Sequence, residues 1–313
     1  MLSIIIPIYN EEKMIPISID VITKLMDSSK IEYELVLVND GSKDRSWEAI
    51  KSLSEHNEHI RAISFSRNFG KESAMIAGLA YAKGDACVTI DADLQHPPVK
   101  IIEMYALWKQ GYKVVEGIKL SRGHENFLYK CFAKTFYRII SRATGFDMQN
   151  TSDFKLLDRE VVDIILNMPE KRMFFRAISA WVGFKSTHIE YNVQERIEGV
   201  SKWSALSLIK YAINNITSFS SAPLQLVTLT GIIYLIFAIA LSIQTLVGFF
   251  ENNSVEGFTT VILLQLITGS ILMLAIGLIG YYISKIFEEV KSRPKYIVEE
   301  KIENSINENQ PLP

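Results

Sequence analysis

The chain has 313 residues, 48% of them hydrophobic and 22% charged, with 33 Lys and Arg against 35 Asp and Glu for a net charge of -2. This composition excludes disorder, a collagenous repeat and a small disulfide scaffold, and a near-neutral balance argues against a general nucleic-acid binder. Two cysteines, Cys87 and Cys131, are too few for a disulfide framework and read as small buried apolar residues.

Met1 to Ile8 is apolar but lacks the charged flank and small-residue cleavage site of a signal peptide, so it reads as a strand. Short β-branched runs follow at Glu34 to Asn39, Ala62 to Ser66 and Ala86 to Ile90, and helix-length amphipathic stretches begin after Glu12, Asp44, Gly70 and Pro97. This alternation predicts an α/β domain over residues 1–202, with a mostly parallel sheet covered by helices. An open sheet of this kind binds ligands at the carboxyl ends of its strands. Polar clusters fall at those ends: Tyr9-Asn10-Glu11, Asn39-Asp40-Gly41-Ser42, Ser66-Arg67-Asn68 and Asp91-Ala92-Asp93.

No Gly-x-Gly-x-x-Gly follows the first strand, and Gly70-Lys71 lacks the earlier glycine of a phosphate-binding loop, so neither a dinucleotide enzyme nor a P-loop ATPase is indicated. Nor does any Ser or Cys sit in a nucleophile elbow. Asp91 and Asp93 carry the sharper signal, because they close a hydrophobic strand and are followed by Gln95, Pro97 and Pro98. Two carboxylates and an amide oxygen on a tight turn are hard ligands of the kind Mg²⁺ or Mn²⁺ takes while keeping positions open for phosphate oxygens. A metal-diphosphate site is expected there.

Between residues 124 and 143, Lys130, Lys134, Arg138 and Arg142 are spaced four apart beside an apolar face that includes Leu128, Phe132 and Phe136. This is the pattern of a basic amphipathic helix lying on membrane lipids; a plain solvated face is the alternative. A second interfacial helix is expected over 203–222. From Leu224 to Phe287 only Glu251, Glu256 and Lys285 are charged, which predicts two membrane-spanning helices, about 224–250 and 258–287. The turn between them is acidic, whereas Lys202, Lys210, Lys285, Lys291, Arg293 and Lys295 flank the pair, so both termini are expected in the cytoplasm and the chain in the plasma membrane. Small residues such as Gly269, Gly277 and Gly280 would let helices approach closely, as a homo-oligomer would require. Residues 288–313 read as a polar cytoplasmic tail, disordered after Lys295.

Six stretches taken in order carry a resemblance. They are Ile6 to Glu11 (Ile-Pro-Ile-Tyr-Asn-Glu), Val38 to Asp44 (Val-Asn-Asp-Gly-Ser-Lys-Asp), Arg67 to Lys71 (Arg-Asn-Phe-Gly-Lys), Asp91 to Pro98 (Asp-Ala-Asp-Leu-Gln-His-Pro-Pro), Asp153 to Leu156 (Asp-Phe-Lys-Leu) and Arg196 to Trp203 (Arg-Ile-Glu-Gly-Val-Ser-Lys-Trp). With them the chain resembles the family 2 glycosyltransferases, in the dolichyl-phosphate mannosyltransferase and bactoprenol glucosyltransferase group. The resemblance implies a GT-A fold, a nucleotide-sugar donor and a polyprenyl-phosphate acceptor. It implies that Pro7, Tyr9, Asn10, Glu11, Val38, Asp40, Lys71, Asp91 and Ala92 bind the nucleotide sugar. Asp91, Asp93 and Gln95 would hold Mg²⁺ or Mn²⁺, with Asp93 and Asp153 catalytic. Arg196 and Lys202 would meet the phosphates, and so would Lys119 or Arg122.

The chain departs from the family pattern in having Asn39-Asp40 where relatives show Asp-Asp, and Lys119 where they show arginine. A lysine neutralises a phosphate as a point charge without gripping it bidentately, so either Lys119 serves in that way or Arg122 takes the role. By the same resemblance the expected reaction moves glucose from UDP-glucose onto undecaprenyl phosphate, with UDP-N-acetylhexosamine or GDP-mannose as other donors. A processive polysaccharide synthase and a non-catalytic nucleotide-sugar sensor are the rival readings.

Overall fold

A computed structural model of the protein describes residues 1–120, 152–170, 175–192, 222–250 and 257–303. They fall into two units, one of residues 1–202 with 293–313 and the other of residues 203–292. The basic helix expected near 124–143 and the juxtamembrane helix over 203–222 lie outside the described residues, as do Arg122, Arg196 and Lys202.

The first unit runs β1 (Leu2–Ile8), α1 (Met14–Ser29), β2 (Tyr33–Asn39), α2 (Ser46–Ser54), β3 (Ile60–Phe65), α3 (Lys71–Tyr81), β4 (Ala86–Thr89) and α4 (Lys100–Lys109). It continues through β5 (Val114–Lys119), β6 (Lys155–Asp158), α5 (Arg159–Asn167), α6 (Phe175–Trp181) and β7 (Ser186–Tyr191), and it ends with β8 (Val298–Ile302). Among the described residues the strands form one sheet in the order β7-β5-β6-β4-β1-β2-β3-β8. The pairs β1–β2, β1–β4, β2–β3 and β5–β7 are parallel, whereas β6 and β8 run against their neighbours. The expected α/β architecture with a mostly parallel sheet is therefore what the chain adopts.

Why these residues make these strands follows from their two-sided burial. All seven residues of β2, Tyr-Glu-Leu-Val-Leu-Val-Asn, are buried, as a central parallel strand covered on both faces requires. Successive side chains point to opposite faces. Ile4, Ile6, Leu35 and Leu37 join one core with Ile15, Ile19 and Ile22 of α1, while Ile5, Val36, Val38 and Ile63 join the other with Ala74, Met75 and Leu79 of α3. In α5 the side chain of Asp158 caps the N-terminus by accepting the N–H of Glu160 at 3.0 Å.

Ile8 lies opposite Asn39 and Asn39 opposite Ser64, so the carboxyl ends of β1, β2 and β3 are level. That register puts the following loops side by side.

The tail corrects one expectation. Val298–Ile302 is not disordered; it pairs antiparallel with β3 as the edge strand β8. Tyr296 stacks on Phe65 at 5.1 Å between centroids, and Lys51 pairs with Glu300 at 3.2 Å. The charged residues Glu299, Glu300 and Lys301 in this strand suit a sheet edge, where charge discourages pairing with another chain.

The second unit contains α7 (Ala222–Phe250) and α8 (Phe258–Val290). The Tyr234 hydroxyl of α7 meets the Thr268 hydroxyl and the Leu264 carbonyl of α8. Among the described residues one segment, Leu264–Val290, is long and apolar enough to cross a membrane, and Val227–Leu241 is a shorter apolar stretch. Among the described residues a methyl group added at Gly269, Gly277 or Gly280 would meet no atom within 4 Å beyond its own stretch of helix.

Candidate active site

The loops at the ends of β1, β2, β3 and β4 surround a cavity of about 350 Å³, lined by Pro7, Ile8, Tyr9, Glu11, Asp40, Asn68, Gly70, Lys71, Asp91, Ala92 and Asp93. Tyr9 is 41% exposed, which leaves its ring open at the cavity.

The β1 and β2 loops are clasped together. Ser42 Oγ accepts the N–H of Asn10 at 3.0 Å, Ser46 Oγ accepts that of Glu11 at 2.9 Å, and Asn10 Oδ1 accepts that of Lys43 at 2.8 Å. Asn10 takes φ +55 to do this. Gly41 has φ +61, and a Cβ there would stand 2.2 Å from the Arg67 carbonyl carbon. Only glycine lets the β2 loop run this close to the β3 loop.

Asp40, buried at the end of β2, braces the start of α3. One carboxylate oxygen accepts the N–H of Phe69 at 2.6 Å and the other that of Gly70 at 2.9 Å. Burial raises the Asp40 carboxyl above its usual range, and these two N–H groups pull the other way.

Beyond β4, Asp93 Oδ1 accepts the N–H of Gln95 at 3.1 Å, and Leu94 between them sits at φ +56. A left-handed leucine is uncommon and marks a constrained turn. The turn presents Asp91 and Asp93 to the cavity. Behind it the buried His96 ring stacks on Phe154 at 5.0 Å and meets Tyr191 edge-on at 5.5 Å, and burial pushes this histidine down to about 4.

A chain of charges connects this turn to Asp153. Lys71 Nζ lies 2.6 Å from Asp91 Oδ1 and 3.3 Å from Asp153 Oδ2. Arg176, at the start of α6, grips Asp153 with two bonds of 2.7 Å, Nε to Oδ1 and Nη2 to Oδ2. Burial disfavours ionisation of Asp153, but the Arg176 hydrogen bonds and the Lys71 charge outweigh it and hold the carboxyl well below the usual range. Burial likewise opposes ionisation of Asp91, and Lys71 more than offsets it. Glu72 has the opposite fate: burial first, then the charge of Asp153, pushes it up to about 7.

Of the residues expected from the sequence, Pro7, Tyr9, Glu11, Asp40, Lys71, Asp91, Ala92 and Asp93 come together at one cavity, with Asp153 tied to it through Lys71. Asn10 acts through the loop clasp and Gln95 through the turn. Val38 is placed otherwise: its side chain is wholly buried in the α3-side core and does not line the cavity. Lys119 ends β5 and is not among the cavity-lining residues. Arg176 was not among the expected residues, since it stands in none of the six motif stretches and its partner Asp153 lies 23 residues earlier.

As to a metal, no group of three or more His, Cys, Asp or Glu is gathered among the described residues. Asp91 and Asp93 nevertheless offer hard oxygens on one turn, and Asp91 already attracts an ammonium group. A partial shell of this type fits Mg²⁺ or Mn²⁺, which usually keeps positions for water and phosphate.

Comparison with known proteins bears on what this site serves. Residues 3–165 match the model of "Glycosyl transferase family 2". An uncharacterized glycosyltransferase of Bacillus subtilis, YkcC, is 41% identical over 303 residues, covering 95% of this chain and 93% of its own. The SfII prophage-derived bactoprenol glucosyl transferase of Shigella flexneri is 36% identical over 302 residues, covering 95% and 97%. Among solved structures, glucosyl-3-phosphoglycerate synthase from Mycobacterium tuberculosis, in complex with Mn²⁺, UDP and phosphoglyceric acid, aligns with a TM-score of 0.49 at 20% identity, over 69% of this chain and 76% of its own. The family match over the strand-end cavity and the near full-length relatives lead to one conclusion: the chain belongs to glycosyl transferase family 2 and is a glycosyltransferase.

Proposed function

We propose that the protein transfers a hexose, glucose from UDP-glucose, onto undecaprenyl phosphate at the cytoplasmic face of the plasma membrane. The observation that carries this reading is near full-length similarity to transferases named for bactoprenol. The cavity, whose acidic turn faces a lysine, is of the kind a nucleotide diphosphate needs. UDP-N-acetylhexosamine and GDP-mannose are the alternative donors.

In this reading Tyr9 and Glu11 meet the nucleoside, while Lys71 offers charge to the diphosphate. Asp91 and Asp93, with Gln95, would hold Mg²⁺ or Mn²⁺. When bound, the ion neutralises charge on the departing diphosphate. An acceptor phosphate oxygen attacks the anomeric carbon as the bond to the diphosphate breaks, inverting the configuration. A phosphate is already anionic at neutral pH and needs no base. Asp153, held ionised by Arg176 and Lys71, therefore acts through charge and position at the reacting carbon.

The helices α7 and α8 form a membrane hairpin in this proposal, with the basic flanks on the cytoplasmic side. A polyprenyl phosphate keeps its tail in lipid, so an enzyme anchored in the same bilayer meets its head group without extracting it. Arg196 and Lys202, with either Lys119 or Arg122, supply cations for the phosphates.

The test is transfer of label from a panel of nucleotide sugars into chloroform-extractable lipid, using membranes with undecaprenyl phosphate and Mg²⁺ or Mn²⁺. Label from one donor, lost in Asp93→Ala, supports the reading and names the sugar. Donor binding without any lipid label would overturn it and favour a sensor.

A further inference from the structure

The charge on Asp153 has a mounting behind it that the reaction above does not by itself require. Lys155, on β6, is wholly buried, with Nζ 2.9 Å from Glu116 Oε1 of β5 and 3.5 Å from the Arg176 carbonyl, and it also donates to Ser179 Oγ. Ser179 Oγ in turn donates to the Arg176 carbonyl at 3.1 Å. Burial lowers the Lys155 ammonium, and Glu116 acts against that loss. The Lys155 ammonium also lies 5.2 Å from the centre of the Phe175 ring. A buried ion pair is costly unless its remaining donors are satisfied, and here they are spent on the Arg176 carbonyl and the Ser179 hydroxyl of α6. The backbone of Arg176 is thus tied to β5 and β6 while its guanidinium grips Asp153, two residues before Lys155 along the chain.

We propose that Arg176 is a positioning residue for sugar transfer: seated by the Lys155, Glu116 and Ser179 cluster, it fixes the orientation and charge of the Asp153 carboxylate at the reacting centre. This rests on the donor and acceptor reading given above. A bidentate guanidinium holds a carboxylate in one plane, which a lysine at the same place does not do. Lys71 contacts Asp153 through one oxygen only, at 3.3 Å, and so does not fix the plane of the carboxylate. Arg176 acts through Asp153 and not on the donor, so its loss should slow turnover and leave donor affinity alone.

The experiment is steady-state transfer to undecaprenyl phosphate by wild type, Arg176→Lys, Arg176→Ala, Asp153→Asn and the double variant Asp153→Asn with Arg176→Lys. The expected result is a kcat lower by about 100-fold in both single Arg176 variants, the scale of a misplaced reacting group, with donor KM within about twofold of wild type. Placing Arg176→Lys on Asp153→Asn should then cost nothing further, because residues acting as a unit are not additive. Arg176→Lys keeps charge and length, and so carries the test if Arg176→Ala does not fold. Unchanged kcat, a loss confined to KM, or losses that multiply in the double variant would each overturn the proposal. A wild type that labels no lipid would overturn the functional reading and this inference with it, whereas wild-type turnover matched by Arg176→Lys would overturn this inference alone.

Discussion

Asp40 and Gly70 are joined across two loops: the carboxylate that ends β2 accepts the N–H that begins the α3 turn at 2.9 Å, with the N–H of Phe69 beside it at 2.6 Å. The side chain thus supports the Asn68 to Lys71 wall of the cavity in addition to lining it. Asp40→Ala is expected to cost about 1–3 kcal/mol, the penalty for stranding partly buried donors, and to weaken donor binding. Asp40→Asn keeps an acceptor and should lose less. Chemical unfolding and donor titration of the two variants check this.

Lys71 pairs with Asp91, a carboxylate that the proposed Mg²⁺ or Mn²⁺ would also use. The lysine's partners Asp91 and Asp153 are only 28% and 16% exposed, so removing the ammonium leaves two largely buried carboxylates without the charge that offsets their burial. Lys71→Met should lower both the thermal midpoint and kcat. It should also reduce the Mg²⁺ or Mn²⁺ concentration giving half-maximal activity, since Asp91 no longer faces an ammonium. Chelation with EDTA is expected to abolish transfer in wild type and variant, with either ion restoring it. A rise in the half-maximal concentration would count against competition between Lys71 and the metal.

Glu72 gives stability a pH dependence of known sign. Its carboxyl moves from the usual 4.5 up to about 7 in the fold, through burial and the nearby Asp153 charge. The folded state therefore holds this proton more tightly than the unfolded chain. The stabilisation is fully present below pH 4.5 and is lost as pH climbs through about 7. Glu72→Gln should flatten this segment of the profile, seen as a smaller fall in thermal midpoint between acidic and neutral buffer.

Tyr296 ties the tail to the sheet through its stack on Phe65. Tyr296→Ala should destabilise the first unit by about 0.5–1.5 kcal/mol from the aromatic pair, plus the loss of buried area. Replacing residues 296–303 with a Gly-Ser segment should cost more, because β3 then has an open edge. Differential scanning calorimetry of the full chain in detergent would read both.

The legible parts of this fold were those written in local pattern. The four β-branched runs and the helices after them stand within a few residues of β1 to β4 and α1 to α4, since each strand is buried on both faces and each run is bounded by polar turns. The strand-end logic also located the cavity. Period-two alternation could have moved Val38 out of the site, because it shares a face with Val36 and the α3-side core. Arg176 was harder to find, because its partner Asp153 is 23 residues away and only tertiary folding brings α6 across to it. The tail was misjudged because Val298 to Ile302 is mostly charged, and edge strands use charge in the way disordered tails do.

The strand β8 also sets a time order for making the protein. β3 is synthesised early, yet its outer neighbour in the sheet comes after both α7 and α8. A nascent chain that has folded through β7 still exposes one row of unpaired backbone groups along β3. Those groups are satisfied only when residues 298–302 leave the ribosome, after the apolar helices have been translated. Completion of the catalytic unit is thereby coupled to completion of the helical one, and a ribosome that stalls between them releases a sheet with a bare, adhesive edge.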